Sequence, residues 1–250
     1  MAILKSLRVC QSKPDLNLVY LKKFAKLPKL VLLDSILAGS FIGFGCLALV
    51  FVKSDTTLST SVSGILSGSL FSIGLFAIVV MGVDLFTGNC LSHITLFYNK
   101  VLYTKTAIFG KIFKTLSINW IGNLIGISFI SILAFFLDFH TDTCIQLADL
   151  KFSKSVIDLI ISGVLCNLLV CTGVLLALHS DTIIGKFISV FLPVVIFVAC
   201  GFEHSIADMF FIPFASNPDQ MLPSLIFITL GNYIGGSCLG LLVGLSKTID

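Results

Sequence analysis

The pentapeptide Gly122-Asn123-Leu124-Ile125-Gly126 lies inside a long apolar run, and it recurs as Gly231-Asn232-Tyr233-Ile234-Gly235 in a second such run near the C-terminus. Glycines four residues apart let two helix backbones approach closely, which is a common way for helices to pack within lipid. The recurrence predicts a chain built from two similar halves, each closed by one copy of the motif.

An interrupted apolar run precedes each of these motifs. The interruptions are Leu85-Phe86-Thr87-Gly88-Asn89 and Gly201-Phe202-Glu203-His204-Ser205. The apolar stretches that follow, Cys90 to Phe97 and Ser205 to Pro213, are too short to cross a bilayer, so we interpret them as the second halves of broken helices. Backbone groups freed by such breaks must be buried in protein or line a cavity, because lipid offers them no hydrogen bonds.

The whole chain has the composition of a membrane protein. Of its 250 residues 56% are hydrophobic and 12% are charged, whereas soluble domains average about 25% charged residues. An all-α fold of six transmembrane helices is predicted, with helices 2 and 5 broken. With three spans per half, the second repeat must be inverted relative to the first, a recurring plan among transporters. The predicted helices run near Leu30 to Val52, Thr60 to Gly82, Ala107 to Leu137, Val156 to Leu178, Gly185 to Cys200 and Leu222 to Leu245.

The distribution of lysines predicts the topology. Lysines concentrate in the N-terminal segment and in the connection between helices 2 and 3, whereas Lys53, Lys151 and Lys154 lie on the opposite side. By the positive-inside rule both termini are cytoplasmic. We expect a cytoplasmic arm over residues 1–29, a transmembrane transport domain over 30–246 and a short cytoplasmic tail over 247–250, in an integral protein of the plasma membrane.

Other function classes find little support. The net charge of +3 is small and forms no basic patch with interleaved aromatics, which argues against nucleic acid as a partner. The motifs HExxH and GxSxG are absent, so we expect neither an enzyme nor a cofactor. A metal site made of Asp84, His204 and Asp208 stays open as an alternative.

His204 is the main candidate for chemistry. Ionisable residues at membrane depth are rare and usually functional, and imidazole exchanges protons near neutral pH. Two half-helix N-termini that face each other would also attract an anion. Alternatively, a neutral His204 ties down the broken backbone and the neighbouring Glu203 only satisfies backbone donors. His93, just past the first break, is a further candidate for contact with the pathway.

Three stretches carry a family resemblance. They are Leu85 to Asn89, Leu165 to Asn167, and Gly201 to Phe210, which reads GFEHSIADMF. They resemble the formate/nitrite transporter family, and the similarity runs from about Leu30 to Leu245. The resemblance implies a homopentamer whose protomers each contain an aquaporin-like pore for small monocarboxylates, nitrite or hydrosulfide.

The resemblance also implies roles for single residues. His204 matches the family's central histidine and Thr87 faces it, while Asn167 lies beside the outer constriction and Lys151 in the outer vestibule. Apolar constrictions are implied at Phe71, Leu75, Leu85, Phe86, Val170 and Phe197.

Two of these residues also have simpler interpretations. Lys151 would be a lone cation that concentrates anions, or an ordinary interfacial lysine with its ammonium group in water. Asn167 would line the pore or join two helices by a hydrogen bond.

Asp208 departs from the family pattern, which usually has asparagine there. A carboxylate at the centre of a membrane helix costs about 2.5–3.5 kcal/mol on insertion scales, so Asp208 should be partnered, near an interface or protonated. If it is ionised near His204, it would favour the imidazolium form.

The sequence thus predicts a channel or transporter for a small weak-acid anion, with formate first. His204 would either exchange a proton with the anion or stabilise it electrostatically. Nitrite, hydrosulfide, lactate and a neutral solute such as water are the alternatives. Asn217-Pro218 is followed by Asp219, so the Asn-Pro-Ala motif of water channels is absent. Phe71 and Phe197 would make a narrow pore that favours the smallest anions.

Overall fold

The computed structural model describes residues 16–98 and 105–246, and every regular element in these ranges is a helix. A one-turn helix, Ser205–Asp208, is followed directly by a 3₁₀ segment, Met209–Phe214. The α-helices are α1 (Leu16–Phe24), α2 (Pro28–Lys53), α3 (Thr60–Met81), α4 (Phe86–Tyr98), α5 (Lys105–Phe136), α6 (Thr141–Phe152), α7 (Val156–Leu178), α8 (Ile183–Ala199), α9 (Ser205–Asp208) and α10 (Pro218–Ser246).

Five of these helices, α2, α3, α5, α7 and α10, are long and apolar enough to cross a membrane. Helix α8 has 17 residues, or about 25 Å of helix, slightly less than a bilayer core. Their outward faces carry exposed apolar side chains such as Phe113, Phe136 and Ile157. A surface this apolar belongs in lipid, and the chain is an integral membrane protein.

The observed bounds differ from the predicted ones by only a few residues. The second break occurs where expected, whereas the first covers residues 82–85, so that Phe86 to Asn89 of the predicted interruption lie inside α4. The second half of the broken helix after His204 is shorter than predicted, because the α-helix lasts only from Ser205 to Asp208 before the 3₁₀ segment with Pro213 begins. Helix α6, which carries Lys151, was not predicted.

The helices pack in equivalent pairs, as two similar halves require. Helix α2 packs on α5 as α7 packs on α10, and α2 packs on α3 as α7 packs on α8. Helix α4 contacts α10, and the 3₁₀ segment in the same position of the second half contacts α5. The α3–α8 contact joins the halves.

The repeated glycines explain two of these contacts. A Cβ atom on Gly126 would overlap the Ile36 carbonyl oxygen of α2, and a Cβ atom on Gly235 would overlap the Val164 carbonyl oxygen of α7. Any side chain at these positions would push the paired helices apart, so the pentapeptides set the α2–α5 and α7–α10 distances.

The predicted N-terminal arm is partly helical. Helix α1 packs on α4 with Leu16, Tyr20 and Phe24 buried. The part of the predicted arm before Leu16 and the predicted tail over 247–250 lie outside the described residues.

Candidate functional site

The first break is held by the asparagine of the first Gly-Asn motif. The Oδ1 atom of Asn123 accepts a hydrogen bond from the Phe86 N–H at 2.8 Å, and its Nδ2 atom donates to the carbonyls of Asp84 at 3.1 Å and Ser35 at 2.7 Å. Freed backbone groups on both sides of Leu85 are therefore paired within the protein, as membrane depth requires.

The second break is held by the equivalent asparagine. The Oδ1 atom of Asn232 accepts from the Ser205 N–H at 2.8 Å, and its Nδ2 atom donates to the carbonyls of Glu203 at 3.0 Å and Gly163 at 2.8 Å. The residue between the two clamped positions is His204. We call Asn232 and these three hydrogen bonds the asparagine clamp. The clamp fixes the backbone on both sides of His204 and thereby the position of its imidazole.

A cluster of four charged side chains lies at the second break. We call Lys151, Lys154, Glu203 and Asp208 the α6 cluster. Lys151 Nζ lies 2.5 Å from Glu203 Oε2 and 2.8 Å from Asp208 Oδ1, and Lys154 Nζ lies 2.5 Å from Glu203 Oε1. Burial opposes the charge of Lys151, but attraction by Asp208 and Glu203 outweighs burial and raises the pKa of this lysine above its usual range. Lys151 is therefore held as a cation within an ion-pair network.

A similar cluster lies at the first break. We call Lys23, Lys26, Asp84 and Asn89 the α1 cluster. Asp84 Oδ2 lies 2.7 Å from Lys26 Nζ, and Asp84 Oδ1 lies 3.4 Å from Lys23 Nζ. Burial works against the charge of Lys26, but its hydrogen bonds to Asp34 and Asp84 prevail and raise its pKa. The buried carboxylate of Asp84 is therefore compensated by two lysines.

Each cluster adjoins a cavity. The α6 cavity, of about 180 Å³, is lined by the α6 cluster together with Phe71, Phe197 and His204. The α1 cavity, of about 280 Å³, is lined by Lys23 and Lys26 and, deeper in the protein, by apolar residues that include Leu75, Leu85, Val174 and Leu178.

The two cavities lie at opposite ends of the helices. Helix α2 begins near the α1 cluster, where Asp34 binds Lys26, and ends with Lys53 in the wall of the α6 cavity. The equivalent helix α7 begins near the α6 cluster, where Ser162 accepts a hydrogen bond from the backbone N–H of Glu203, and ends with Leu178 in the wall of the α1 cavity. Helices α2 and α7 are therefore antiparallel, which is consistent with the predicted inverted repeat.

The side chains of Thr87 and His204 meet between the two breaks. Thr87 Oγ1 lies 3.0 Å from His204 Nε2, and both residues are buried. The Nδ1 atom of His204 accepts a hydrogen bond from the Ala207 N–H at 3.1 Å and thereby caps α9. Because Nδ1 is an acceptor, a neutral imidazole carries its proton on Nε2 and donates it to the Thr87 hydroxyl. The hydroxyl proton of Thr87 is then available to a solute.

Aromatic rings surround this contact on the α6 side. The Phe197 ring stacks on the imidazole of His204 with 6.0 Å between centroids, and the Phe71 ring meets Phe197 edge to face at 5.8 Å. Because Phe71, Phe197 and His204 line the α6 cavity together, a solute next to His204 would contact apolar rings, which disfavour a full charge.

Comparison with known proteins identifies the family of this helical arrangement. The family model described as formate/nitrite transporter matches residues 18–246 of the chain. The chain belongs to the formate/nitrite transporter family. A probable formate transporter of Methanothermobacter thermautotrophicus is 34% identical, with 87% of this chain and 88% of that protein covered. In Escherichia coli K12, the formate channel FocA is 30% identical (85% and 83% covered) and the nitrite transporter NirC is 30% identical (82% and 78% covered).

Solved structures agree on the fold. An FNT family ion channel superposes with a TM-score of 0.79, covering 94% of this chain and 95% of that one. A pentameric formate channel with formate bound superposes with a TM-score of 0.73, covering 89% and 96%. Both are 24% identical in sequence. The protomer therefore has the fold of formate/nitrite transporter channels.

Four of the constriction residues suggested by the family resemblance line the cavities. Phe71 and Phe197 lie in the wall of the α6 cavity, and Leu75 and Leu85 in the wall of the α1 cavity. They flank the buried region around His204 from both sides.

The other two lie elsewhere in this family member. Phe86 lies in an apolar groove between α5 and α10, beside Trp120 and Tyr233. Val170 is buried within α7. Neither belongs to the described residues that line the α1 or α6 cavity, and their roles in a constriction stay predictions.

Asn167 joins three elements by hydrogen bonds. Its Nδ2 atom donates to the carbonyl of Thr87 at 3.2 Å and to the carbonyl of Asn232 at 2.6 Å. It thereby ties α7 to the start of α4 and to the clamp on α10. These contacts fit the interpretation of Asn167 as a link between helices, and its place beside a constriction stays a prediction.

Two interpretations of charged residues are wrong. Lys151 is not a lone cation, because it binds two carboxylates. Glu203 does not merely satisfy backbone donors, since its carboxylate binds Lys151 and Lys154. Asp208 is partnered, as its cost in a membrane requires, and its partner is Lys151.

His93 is buried beside Asn89, and its contact with the pathway stays a prediction. His93 donates from Nδ1 to the Asn89 carbonyl at 2.8 Å and packs edge-on against Phe24. Across residues 16–98 and 105–246, no group of three His, Cys, Asp or Glu side chains could hold a metal ion. Asp84 binds Lys23 and Lys26, whereas Asp208 binds Lys151.

Several site residues were missed. Lys154, Lys23 and Lys26 were assigned only to the topology, and the asparagines of the Gly-Asn motifs were assigned only to packing. A signal was available for the lysines, because a Lys-x-x-Lys pair precedes the first long helix of each half, as Lys23–Lys26 and as Lys151–Lys154.

Proposed function

We propose that this family member passes small weak-acid anions, formate first, along a path that joins the α1 cavity to the α6 cavity. The Thr87–His204 contact carries the proposal, because it places two hydrogen-bonding side chains at the buried point between the cavities. Relatives named as formate transporters and channels support formate as the substrate.

The proposed path leads from a charged entrance to an apolar stretch. An anion enters a lysine-lined cavity and meets apolar side chains, namely Phe71 and Phe197 on one side and Leu75 and Leu85 on the other. A bare charge is strongly disfavoured there. His204 lowers this barrier in one of two ways. As an imidazolium it gives the anion its Nε2 proton and returns to neutral imidazole, so that a neutral acid crosses; as a neutral imidazole it donates a hydrogen bond from Nε2 to the anion. In both cases the solute replaces Thr87 as the partner of Nε2.

The two alternatives differ at Nδ1. That nitrogen accepts the Ala207 N–H bond, and a proton there would remove the cap of α9. Proton exchange therefore requires α9 to lose this cap while the imidazolium exists, whereas the hydrogen-bond alternative keeps the cap. In both cases the solute releases any proton that it took up and leaves with its covalent bonds unchanged. The proposed activity is transport and not catalysis.

Nitrite is the second candidate, because a relative that is 30% identical is named a nitrite transporter. Hydrosulfide, lactate and neutral solutes remain alternatives, and the aromatic pair Phe71 and Phe197 favours small solutes.

The same proposal extends to assembly and location. One solved neighbour is a pentameric formate channel, and we propose a homopentamer with a separate path in each protomer. We place it in the plasma membrane with both termini in the cytoplasm, the arm 1–29 before the transport domain 30–246 and the tail 247–250 after it. The α6 cavity then faces outward and the α1 cavity faces the cytoplasm.

Replacement of His204 tests the proposal. In liposomes, His204→Asn is expected to pass formate about tenfold more slowly than the wild type, since a hydrogen bond to a charged group contributes roughly 1.5–3 kcal/mol. Asparagine is a good helix N-cap, so this variant keeps α9 capped. His204→Ala, which loses both the cap and the donor, should be at least as slow.

His179→Asn is the matched control, because His179 is exposed at the end of α7, and it should pass formate at the wild-type rate. Equal formate flux through the wild type and His204→Asn at every pH from 5 to 8 would show that His204 plays no part.

A further inference from the structure

The two lysine clusters are built alike except at one position. In the α1 cluster, Asn89 follows the carboxylate of Asp84 by five residues. Its Oδ1 atom accepts a hydrogen bond from Lys23 Nζ at 3.2 Å, and its Nδ2 atom donates to Asp84 Oδ1 at 3.1 Å. A neutral amide therefore links the lysine to the carboxylate.

The corresponding position of the α6 cluster carries a charge. Asp208 follows Glu203 by five residues, and its Oδ1 atom lies 2.8 Å from Lys151 Nζ, which also binds Glu203. An ionised carboxylate only accepts hydrogen bonds and cannot donate to Glu203 as an amide would. Two buried carboxylates therefore share Lys151.

This exchange changes the charge that faces each cavity. The α6 cluster combines two lysines with Glu203 and Asp208, both 1% exposed, so its charges cancel. In the α1 cluster two lysines surround one buried carboxylate, Asp84. A second carboxylate, Asp34, binds Lys26 from the rim and is about one third exposed. The α6 cluster therefore has a second buried carboxylate where the α1 cluster has a neutral amide. Lys53 also lines the α6 cavity and Lys22 also lines the α1 cavity.

We propose that Asp208 determines the charge preference of the α6 cavity. By cancelling the positive charge of the lysine pair, it weakens the attraction of the cavity for an anion and favours entry of the neutral, protonated acid. Asp208 lies in the cavity wall with the lysines and His204, so its charge acts at the point where a solute approaches the rings. The inference rests on the proposed function, since it concerns the form in which the weak acid enters.

Charge-balanced variants test the inference. Asp208→Asn gives the α6 cluster the amide of the α1 cluster and one net positive charge, whereas Lys154→Gln gives it one net negative charge. In liposomes at low formate concentration, Asp208→Asn is expected to raise the formate current about threefold. One unit charge that attracts an anion through a mainly aqueous cavity has an effect of this size. Lys154→Gln should lower the current by a similar factor, and the double variant should lie between the two.

The control is Asp55→Asn, which removes an exposed carboxylate from the turn after α2 at the same end of the molecule and should leave the current unchanged. A current through Asp208→Asn that equals the wild-type current, or a rise in both single variants, would overturn the inference while formate transport itself stands. If Asp208→Asn does not fold, an undiminished current through Lys154→Gln would overturn it equally. Failure of the proposed function is distinct, because the wild type would then pass no formate.

Discussion

Asn232→Ala is expected to destabilise the protein by at least about 2 kcal/mol, because it leaves two buried backbone groups without partners. These are the Ser205 N–H and the Glu203 carbonyl. The Gly163 carbonyl also loses a hydrogen bond but lies inside α7, where it accepts from the helix backbone. Each unsatisfied buried group costs roughly 1–3 kcal/mol. For a chain of this size the loss corresponds to a melting temperature lower by about 4–8 °C, measurable by the fluorescence of the detergent-solubilised protein.

Asn123→Ala should have a similar effect, since Asn123 clamps the first break in the same way. Asn217→Ala is the control, because Asn217 is exposed before α10 and bonds only to nearby backbone, and its loss should cost no more than about 1 kcal/mol. An Asn232→Ala protein that melts with the control would contradict the clamp.

Lys151→Met is expected to lose about 3–5 kcal/mol of stability, since removal of one partner leaves an uncompensated buried charge. Asp208 loses its cation, while Glu203 keeps Lys154. The same melting experiment measures the loss.

The double variant Lys151→Met/Asp208→Asn should recover part of this stability, because it also removes the stranded carboxylate. Lys154→Met should cost less than Lys151→Met, as Lys154 is more exposed and contacts one carboxylate. Lys29→Met, at an exposed lysine, should be neutral. If the double variant were less stable than Lys151→Met alone, the ion-pair account of the α6 cluster would be wrong.

The long helices and both breaks were predictable because lipid imposes strong rules on sequence. A span must be apolar over about 20 residues, and a polar interruption such as Glu203-His204 stands out against that background. The repeated Gly-Asn pentapeptides made the two halves visible. Helix bounds were therefore predicted to within a few residues.

Helices α1 and α6 were not predicted, because they do not span the membrane. Helix α6 carries Asp142, Asp149 and Lys151 within twelve residues, and a search for apolar runs passes over such a segment. Lys151 was consequently assigned to a loop before α7.

The ion pairs were also beyond prediction, because their partners are distant in sequence. Lys151 and Glu203 are separated by 52 residues, and Asn123 and Phe86 by 37. Only the packing of α6 and α5 around the breaks brings such pairs together. The resemblance to the family supplied Thr87 and His204 as a facing pair, which the residues alone did not identify.

Formate-driven current, recorded together with proton flux in liposomes that contain the purified wild-type protein, tests the central claim most directly. The account predicts passage of formate, as an anion current or with coupled proton uptake, and no passage of glycerol. Silence with formate, nitrite, hydrosulfide and chloride together with passage of glycerol would contradict it.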